Sequence, residues 1–282
     1  MYRALAIALF WITALPALAG EIVADAFMSQ ALGREYRVSV YLPDGYKDSG
    51  KRYPVLLLLH GAGGDETEWV AKGSVLYTMD AMVKRGLVQP MVVVMPGNSN
   101  GWWTDGASEK SETAVMKELL PYVEAKYRVA TERSGRLVGG LSMGGYGALN
   151  LALKYPERFA AAAIMSPAIY DPLPPETSAS RRAAQFMRDG KFDPELWKSL
   201  NYPAYLERYT KSSSVVPMYI VSGDHDFLGI AVMSANLYWR LYQHQKQAVE
   251  LRIVDGDHEW MVWRDKLPDA LEYMNRYIKG PQ

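Results

Sequence analysis

Ser142 lies at the centre of the run "GGLSMGGYGAL", which extends from Gly139 to Leu149 and places five glycines around one serine. The apolar run before it has the composition of a strand, and the segment after it has the composition of a helix. Residues 140–144 fit the pattern Gly-x-Ser-x-Gly, which places a serine on a tight strand-to-helix turn. Bulky residues at positions 140 and 144 would clash there, and the helix N-terminus points N–H groups at the hydroxyl. The pattern therefore predicts Ser142 as a nucleophile.

A serine hydroxyl needs a general base to act as a nucleophile, and four histidines are available. For a strand–turn–helix serine, the expected chain order is serine, then an acid, then histidine. His60 precedes Ser142, and His244 lies in the polar end of a helix. His258 follows the last apolar run, in "VDGDHEW", and is the predicted base. His60 is predicted to shape a loop.

The acid that orients the histidine is expected after the penultimate strand. The segment "SGDHDFL" offers two carboxylates there, Asp224 and Asp226. A turn through these residues would bring the later one to the site, so the prediction is Asp226. Asp224 is the alternative, and the carboxylate that is not used is expected to form the turn.

Acyl transfer also needs N–H donors for the developing oxyanion. Met143, directly after the serine, is one predicted donor. The other is expected in the loop "HGAGG", where glycines let the backbone approach the serine. The prediction there is Ala62, with Gly61 as the alternative.

Apolar runs and turn residues predict the elements that position these groups. Runs without alternation, such as "PVLLLLH", indicate parallel strands that are covered on both faces. Predicted helices alternate with the strands from residue 54 onward, which indicates an α/β fold with a mostly parallel sheet of about eight strands. The strands are predicted at Tyr36–Leu42, Val55–Leu59, Met91–Met95, Arg136–Leu141, Ala160–Met165, Pro217–Ser222 and Val249–Val254, with another within Glu21–Ser29. The helices are predicted at Glu112–Tyr127, Met143–Lys154, Ile230–His244 and Leu267–Ile278.

Residues 168–215 are too long and too aromatic for a plain connection between two strands. They are interpreted as a cap-like insertion that carries short helices and forms part of the pocket wall. Tyr170 and Trp197 in this insertion are predicted to contact substrate. So are Trp102 and Trp103, in the loop after the fourth strand, with ordinary loop packing as the alternative.

Composition limits the class of protein and its partners. The 282 residues carry 31 Lys plus Arg against 31 Asp plus Glu, so no net charge favours nucleic acid or an anionic membrane. The absence of cysteine excludes disulfides, thiolate metal sites and cysteine nucleophiles. No metal or cofactor is predicted, and the oligomeric state stays open.

The first 19 residues have the three-part layout of a signal peptide. An arginine precedes an apolar run, and Ala17 and Ala19 provide a cleavage site. The expectation is a secreted or periplasmic protein with no membrane segment after cleavage, in which residues 20–282 form one domain.

Four segments, "LLLHGAGG", "GLSMGGYGALNLALKYPERFAA", "SGDHDFL" and "GDHEWMVW", resemble the esterase D-type branch of the α/β-hydrolase superfamily. The resemblance implies an α/β-hydrolase fold and a serine carboxylesterase that acts through an acyl-enzyme. It implies Ala62 and Met143 as oxyanion donors and a small-molecule or carbohydrate-linked ester as substrate, such as a feruloyl or acetyl ester. The alternatives are an acyltransferase, an S-formylglutathione hydrolase-like thioesterase, and a non-catalytic binding protein on the same scaffold.

Overall fold

The protein is built around one twisted sheet with helices on both faces. The structure is a computed structural model that describes residues 19–282. The predicted signal peptide, residues 1–19, therefore lies outside the described residues except for its last position. Within residues 19–282, no helix combines the length and apolarity that crossing a bilayer requires.

Eight strands form the central sheet in the order β1-β2-β4-β3-β5-β6-β9-β10. The pairs β1–β2 and β2–β4 are antiparallel and the other pairs of this sheet are parallel, which confirms the predicted mostly parallel sheet. The strands, including a short separate hairpin of β7 and β8, are β1 (Glu21–Ser29), β2 (Arg34–Leu42), β3 (Val55–Leu59), β4 (Val92–Pro96), β5 (Arg136–Leu141), β6 (Ala161–Met165), β7 (Met187–Arg188), β8 (Lys191–Phe192), β9 (Met218–Gly223) and β10 (Val249–Val254).

Helices flank the sheet or lie within the insertion. The helices are α1 (Tyr46–Ser49), α2 (Glu68–Ala71), α3 (Val75–Lys84), α4 (Ser111–Thr113), α5 (Leu120–Lys126), α6 (Met143–Lys154), α7 (Pro194–Leu200), α8 (Pro203–Thr210), α9 (Ile230–Gln245) and α10 (Trp260–Asn275). A π-helical stretch, Ala114–Leu119, joins α4 to α5, so residues 111–126 run as one helix close to the predicted one.

The last helix differs from its prediction. It begins at Trp260 rather than Leu267 and runs through Pro268. The earlier start follows from packing, because Trp263, Leu267 and Leu271 are all buried on one side of the helix against the sheet. This start brings α10 to within two residues of His258.

The strands are apolar throughout because each face of the sheet is covered by its own core. Along β3, Val55, Leu57 and Leu59 belong to one core, and Leu56 and Leu58 belong to the other. Strands β3, β5, β6, β9 and β10 are parallel neighbours, so their carboxyl ends lie at one edge. Ligands of open α/β sheets bind at that edge.

The insertion after β6 contains three-residue and four-residue 3-10 turns, the β7–β8 hairpin, α7 and α8. Its helices are short, as predicted. A buried aromatic cluster holds it against α6, because Tyr146 of α6 stacks on Trp197 of α7 with ring centroids 5.7 Å apart. The insertion is therefore anchored beside the helix that follows Ser142.

Candidate active site

Ser142 adopts a strained backbone between β5 and α6. Its φ of 54° and ψ of −116° lie in a region that residues with side chains rarely occupy. Three hydrogen bonds hold this conformation. The Ser142 N–H donates to the Met165 carbonyl at 2.9 Å, and the Ser142 carbonyl accepts from Tyr146 at 2.9 Å and from Ala168 at 3.1 Å. The bond to Met165 of β6 stabilises this strained conformation, in which the hydroxyl stands beyond the edge of the sheet.

Gly140 and Gly144 allow this turn for a steric reason. A Cβ on Gly140 would collide with the carbonyl of Gly144, and a Cβ on Gly144 would collide with the carbonyl of Leu59. Both obstacles are backbone atoms, which cannot move without displacing a strand or the helix. This is the clash that the Gly-x-Ser-x-Gly pattern predicted.

Ser142, His258 and Asp226 form a continuous hydrogen-bonded relay. The Ser142 Oγ lies 2.9 Å from His258 Nε2, and His258 Nδ1 lies 2.7 Å from Asp226 Oδ2. The Asp226 side chain is fully buried, and that of His258 is 11% exposed. The buried carboxylate fixes the tautomer with Nδ1 protonated, which leaves Nε2 as the acceptor toward the serine.

Two further contacts hold the relay in place. Asp257 Oδ1 accepts from the N–H of His258 at 2.7 Å and from the N–H of Phe227 at 3.3 Å, which ties the loops after β9 and β10 together. The Trp263 ring stands edge-on to His258 at 4.9 Å, and its Nε1 donates to Ser166 Oγ at 3.0 Å. These contacts restrict the imidazole to one orientation.

Asp224, the alternative acid, lies away from the relay. Its side chain is 46% exposed. Its Oδ1 accepts from the N–H of Gly256 at 3.2 Å, so it shapes the turn between the two loops. Of the two carboxylates, Asp226 contacts His258 and Asp224 contacts the turn.

The predicted oxyanion donors both lie next to the serine, Met143 directly after it in the chain and Ala62 in the wall of its cavity. Ala62 lines the cavity that contains Ser142 and His258. Within residues 19–282, neither Ala62 nor Met143 uses its N–H in a hydrogen bond. Met143 is the first residue of α6, where an N–H has no partner inside the helix.

His60 organises the loop that carries Ala62. Its Nε2 accepts from the N–H of Asn98 at 2.8 Å, so the proton lies on Nδ1, which donates to the Gly61 carbonyl at 2.7 Å. Its own carbonyl accepts from Trp103 Nε1 at 3.2 Å. Burial lowers the pKa of His60, so the ring stays neutral and acts as a structural support. This matches its predicted role.

The cavity around Ser142 has a volume of about 510 Å³, and we call it the catalytic cleft. The volume is within the range of small-ligand sites, which is about 300–1,000 Å³. One part of its wall is apolar and comes from loops near the triad, with Phe227, Leu228 and Trp260. Another part comes from the insertion, with Thr177 and Arg182.

The structure corrects the prediction that four aromatic residues contact substrate. Trp102, Trp103, Tyr170 and Trp197 are at most 3% exposed, and none lines the catalytic cleft. Trp102 and Trp197 pack in the cluster beneath the insertion, and Trp197 Nε1 donates to the Tyr170 carbonyl at 3.1 Å. These side chains stabilise the wall from behind, because the short helices of the insertion need a core of their own.

The aromatic residues that do line the cleft, Phe227, Trp260 and Trp263, were not predicted. Phe227 is 73% exposed, and its ring stands edge-on to His258 at 6.4 Å. Trp260 and Trp263 follow His258 by only a few positions, and Phe227 follows Asp226 directly. Proximity in sequence to the predicted triad was the available signal.

Comparison with known families agrees with this geometry. The profile of the family described as "Putative esterase" matches residues 29–274. The chain belongs to this family.

Individual relatives of the chain are also named as esterases. The chain is 40% identical over 144 residues to "Esterase Rv1288" of Mycobacterium tuberculosis, an alignment that spans 48% of this chain and 30% of the relative. It is 30% identical over 191 residues to "Endo-1,4-beta-xylanase/feruloyl esterase" of Xylanibacter ruminicola, spanning 64% of this chain and 26% of the relative. The chain thus covers less than a third of the length of these two relatives. A solved ferulic acid esterase superposes with a TM-score of 0.78 at 28% identity, over 93% of this chain and 99% of that one.

Proposed function

We propose that this chain is a serine carboxylesterase that works through an acyl-enzyme. The observation that carries the proposal is the relay from Ser142 through His258 to buried Asp226, at 2.9 and 2.7 Å, at the floor of an open cleft. Membership of the esterase family and the similarity to a ferulic acid esterase over nearly the whole chain support it.

The residues then act in two half-reactions. Ser142 Oγ attacks the ester carbonyl carbon while its proton passes to His258 Nε2, and the N–H groups of Ala62 and Met143 stabilise the oxyanion. The carbon–oxygen bond to the alcohol breaks, and His258 returns the proton to the leaving alkoxide. Water then attacks the acyl-serine, again losing its proton to His258, and releases the acid and free Ser142. Asp226 keeps the imidazole oriented and stabilises its charge in both steps.

The cleft wall suggests the acyl group. Phe227, Leu228 and Trp260 offer an apolar surface beside the catalytic histidine, which suits an aromatic acyl group. Two relatives of this chain are named for feruloyl ester hydrolysis. The proposed substrates are therefore hydroxycinnamoyl or acetyl esters carried on carbohydrate.

The first prediction tests the nucleophile. Ser142→Ala removes the attacking oxygen, so kcat should fall by at least about 10³-fold while the fold is retained. The assay is a panel of p-nitrophenyl esters of rising chain length, with methyl ferulate and acetylated xylan, and circular dichroism checks the fold. Activity within tenfold of wild type would contradict the assignment. Faster turnover of S-formylglutathione than of any ester would instead assign a thioesterase.

The second prediction uses the two neighbouring carboxylates as a matched pair. Asp226→Asn should lower kcat by about 10³- to 10⁴-fold, because an amide no longer fixes the histidine tautomer. Asp224→Asn makes the same chemical change at the exposed position and should cost less than about tenfold. The reverse order would assign Asp224 as the acid.

A further inference from the structure

A second cavity, which we call the side cavity, opens beside the catalytic cleft. It has a volume of about 560 Å³ and is lined by Arg34 and by residues from segments 98–101, 108–109 and 179–184. Ala179 and Arg182 line both cavities, so the two are direct neighbours.

Arg182 is the unpaired charge at this junction. Two other charged residues line the side cavity, Arg34 and Glu109, and they face each other at 3.5 Å. Glu109 also accepts from Ser111 Oγ at 2.9 Å. Within residues 19–282, Arg182 has no carboxylate within ion-pair distance. Two arginines against one glutamate leave the side cavity with a formal charge of +1, and the unpaired part is Arg182.

The backbone that carries Arg182 is fixed by its neighbours. Arg181 donates from Nε to the Pro174 carbonyl at 2.8 Å, pairs with Glu176 at 3.1 Å and lies over the Phe192 ring. The Ser178 side chain caps the 3-10 turn Ala179–Arg182. Arg181 therefore anchors the turn, and the side chain of Arg182 is available to a ligand in the two cavities.

The remaining surroundings restrict where an anion can bind. Besides Arg182, the catalytic cleft is lined by Glu259 and by Glu68 and Lys72, which pair with each other at 2.6 Å, and none of these three lines the side cavity. A third cavity, next to the side cavity, carries two arginines, Arg34 and Arg37, against the three acids Glu35, Asp65 and Glu66. A negative group is therefore favoured at Arg182 and disfavoured farther along.

We infer that the side cavity binds the alcohol portion of the substrate and that Arg182 pairs there with a carboxylate on it. The chemical class is an ester carried on a uronic-acid-containing oligosaccharide. Ser99, Asn100 and Ser108 supply polar partners for neighbouring hydroxyl groups in the same cavity. Arginine suits the role because its planar fork matches a carboxylate with two parallel N–H donors. This inference rests on the proposed esterase function for its first test but not for its second.

The first test compares two feruloyl esters that share linkage and stereochemistry, one of methyl galactoside and one of methyl galacturonide. They differ only in a hydroxymethyl group or a carboxylate. We expect wild type to favour the uronate by about tenfold in kcat/KM, and to lose most of this preference between about 0.02 and about 0.3 M salt. Arg182→Gln should bring the ratio to about one, and Arg182→Lys should keep part of it. Arg85→Gln, the same change at an exposed arginine outside these cavities, should keep the wild-type ratio.

The second test does not need hydrolysis. Binding of the two unesterified methyl glycosides to Ser142→Ala is followed by NMR titration, with and without Arg182→Gln. Tighter binding of the galacturonide that disappears with Arg182→Gln supports the site even if neither ester is hydrolysed, in which case only the proposed function fails. Equal treatment of acid and neutral sugar by wild type in both tests overturns the inference. So does a preference that survives Arg182→Gln.

Discussion

Two sets of aromatic side chains lie near Ser142, and they differ in what covers them. The buried set, Trp102, Trp103, Tyr170 and Trp197, is at most 3% exposed and belongs to one hydrophobic core. The rim set, Phe227 and Trp260, lines the catalytic cleft, and Phe227 is 73% exposed. The buried set holds the wall in place, and the rim set is available to a substrate.

This difference shows that aromatic composition near a site does not distinguish support from contact. Trp and Tyr bury large areas in cores and also form binding surfaces, so both roles select the same residue types. Exposure at the cleft separates them. Substitutions in the buried set should therefore change stability, and those in the rim set should change selectivity.

The largest effect is expected in the buried set. Trp197→Ala removes a fully buried indole and its hydrogen bond to Tyr170, so the free energy of unfolding should fall by about 3–5 kcal/mol. Urea unfolding measures the loss. Trp239→Ala makes the same change at an indole that is 61% exposed, and should cost less than about 0.5 kcal/mol.

Selectivity of the folded Trp197→Ala enzyme is the second readout. The ratio of kcat/KM for methyl ferulate to that for p-nitrophenyl acetate should stay within about twofold of wild type. A changed ratio with unchanged stability would place Trp197 in contact with substrate and would reverse the comparison.

A smaller effect, on selectivity and not on stability, is expected in the rim set. Phe227→Ala should lower the same kcat/KM ratio by about 5- to 30-fold, or about 1–2 kcal/mol, because the aromatic acyl group loses an apolar contact that acetate never makes. Its stability should change by less than about 0.5 kcal/mol. Tyr77→Ala, at another exposed aromatic residue, is the control and should change neither quantity. Equal losses on both esters would show that Phe227 acts only by supporting His258.

The predicted elements agree with the structure where a local pattern has only one solution. An apolar run such as "PVLLLLH" must be covered on both faces, and the eight predicted sheet strands are all present within a residue or two of their predicted bounds. The turn at Ser142 requires glycine at positions 140 and 144 for steric reasons, so it could also be predicted. The order of Ser142, Asp226 and His258 followed from the topology of the sheet.

The rest depends on contacts between segments that are distant in sequence. Trp197 is buried because α7 packs on α6 and on the loop at Trp102, and no local pattern specifies that packing. Arg182 reaches the cleft because its neighbour Arg181 anchors the turn. The role of Asp257 as a bridge between two loops depends on loop conformation, which residue type does not determine.

His60 lies between the buried set and the cleft. The smallest expected effect is the change that its substitution makes in the pH dependence of stability. Its ring lies 5.1 Å from that of Trp103 in the buried set, and the following residues, Gly61 and Ala62, line the cleft. Burial lowers the pKa of His60 in the folded protein, whereas an unfolded histidine titrates near pH ~6.5. As pH falls below about 6.5, the unfolded chain therefore binds a proton that the folded protein does not, and the free energy of unfolding decreases until the folded pKa is reached.

His60→Gln removes this contribution, so wild type should lose about 0.5–1 kcal/mol more stability than the variant between pH about 7.5 and about 5.5. Urea unfolding across this range measures the difference, and His60→Asn should reproduce the shallower slope. Parallel curves for wild type and both variants would show that the ring binds a proton equally in the folded and unfolded states, and that its place between the buried set and the cleft does not depend on its neutral form.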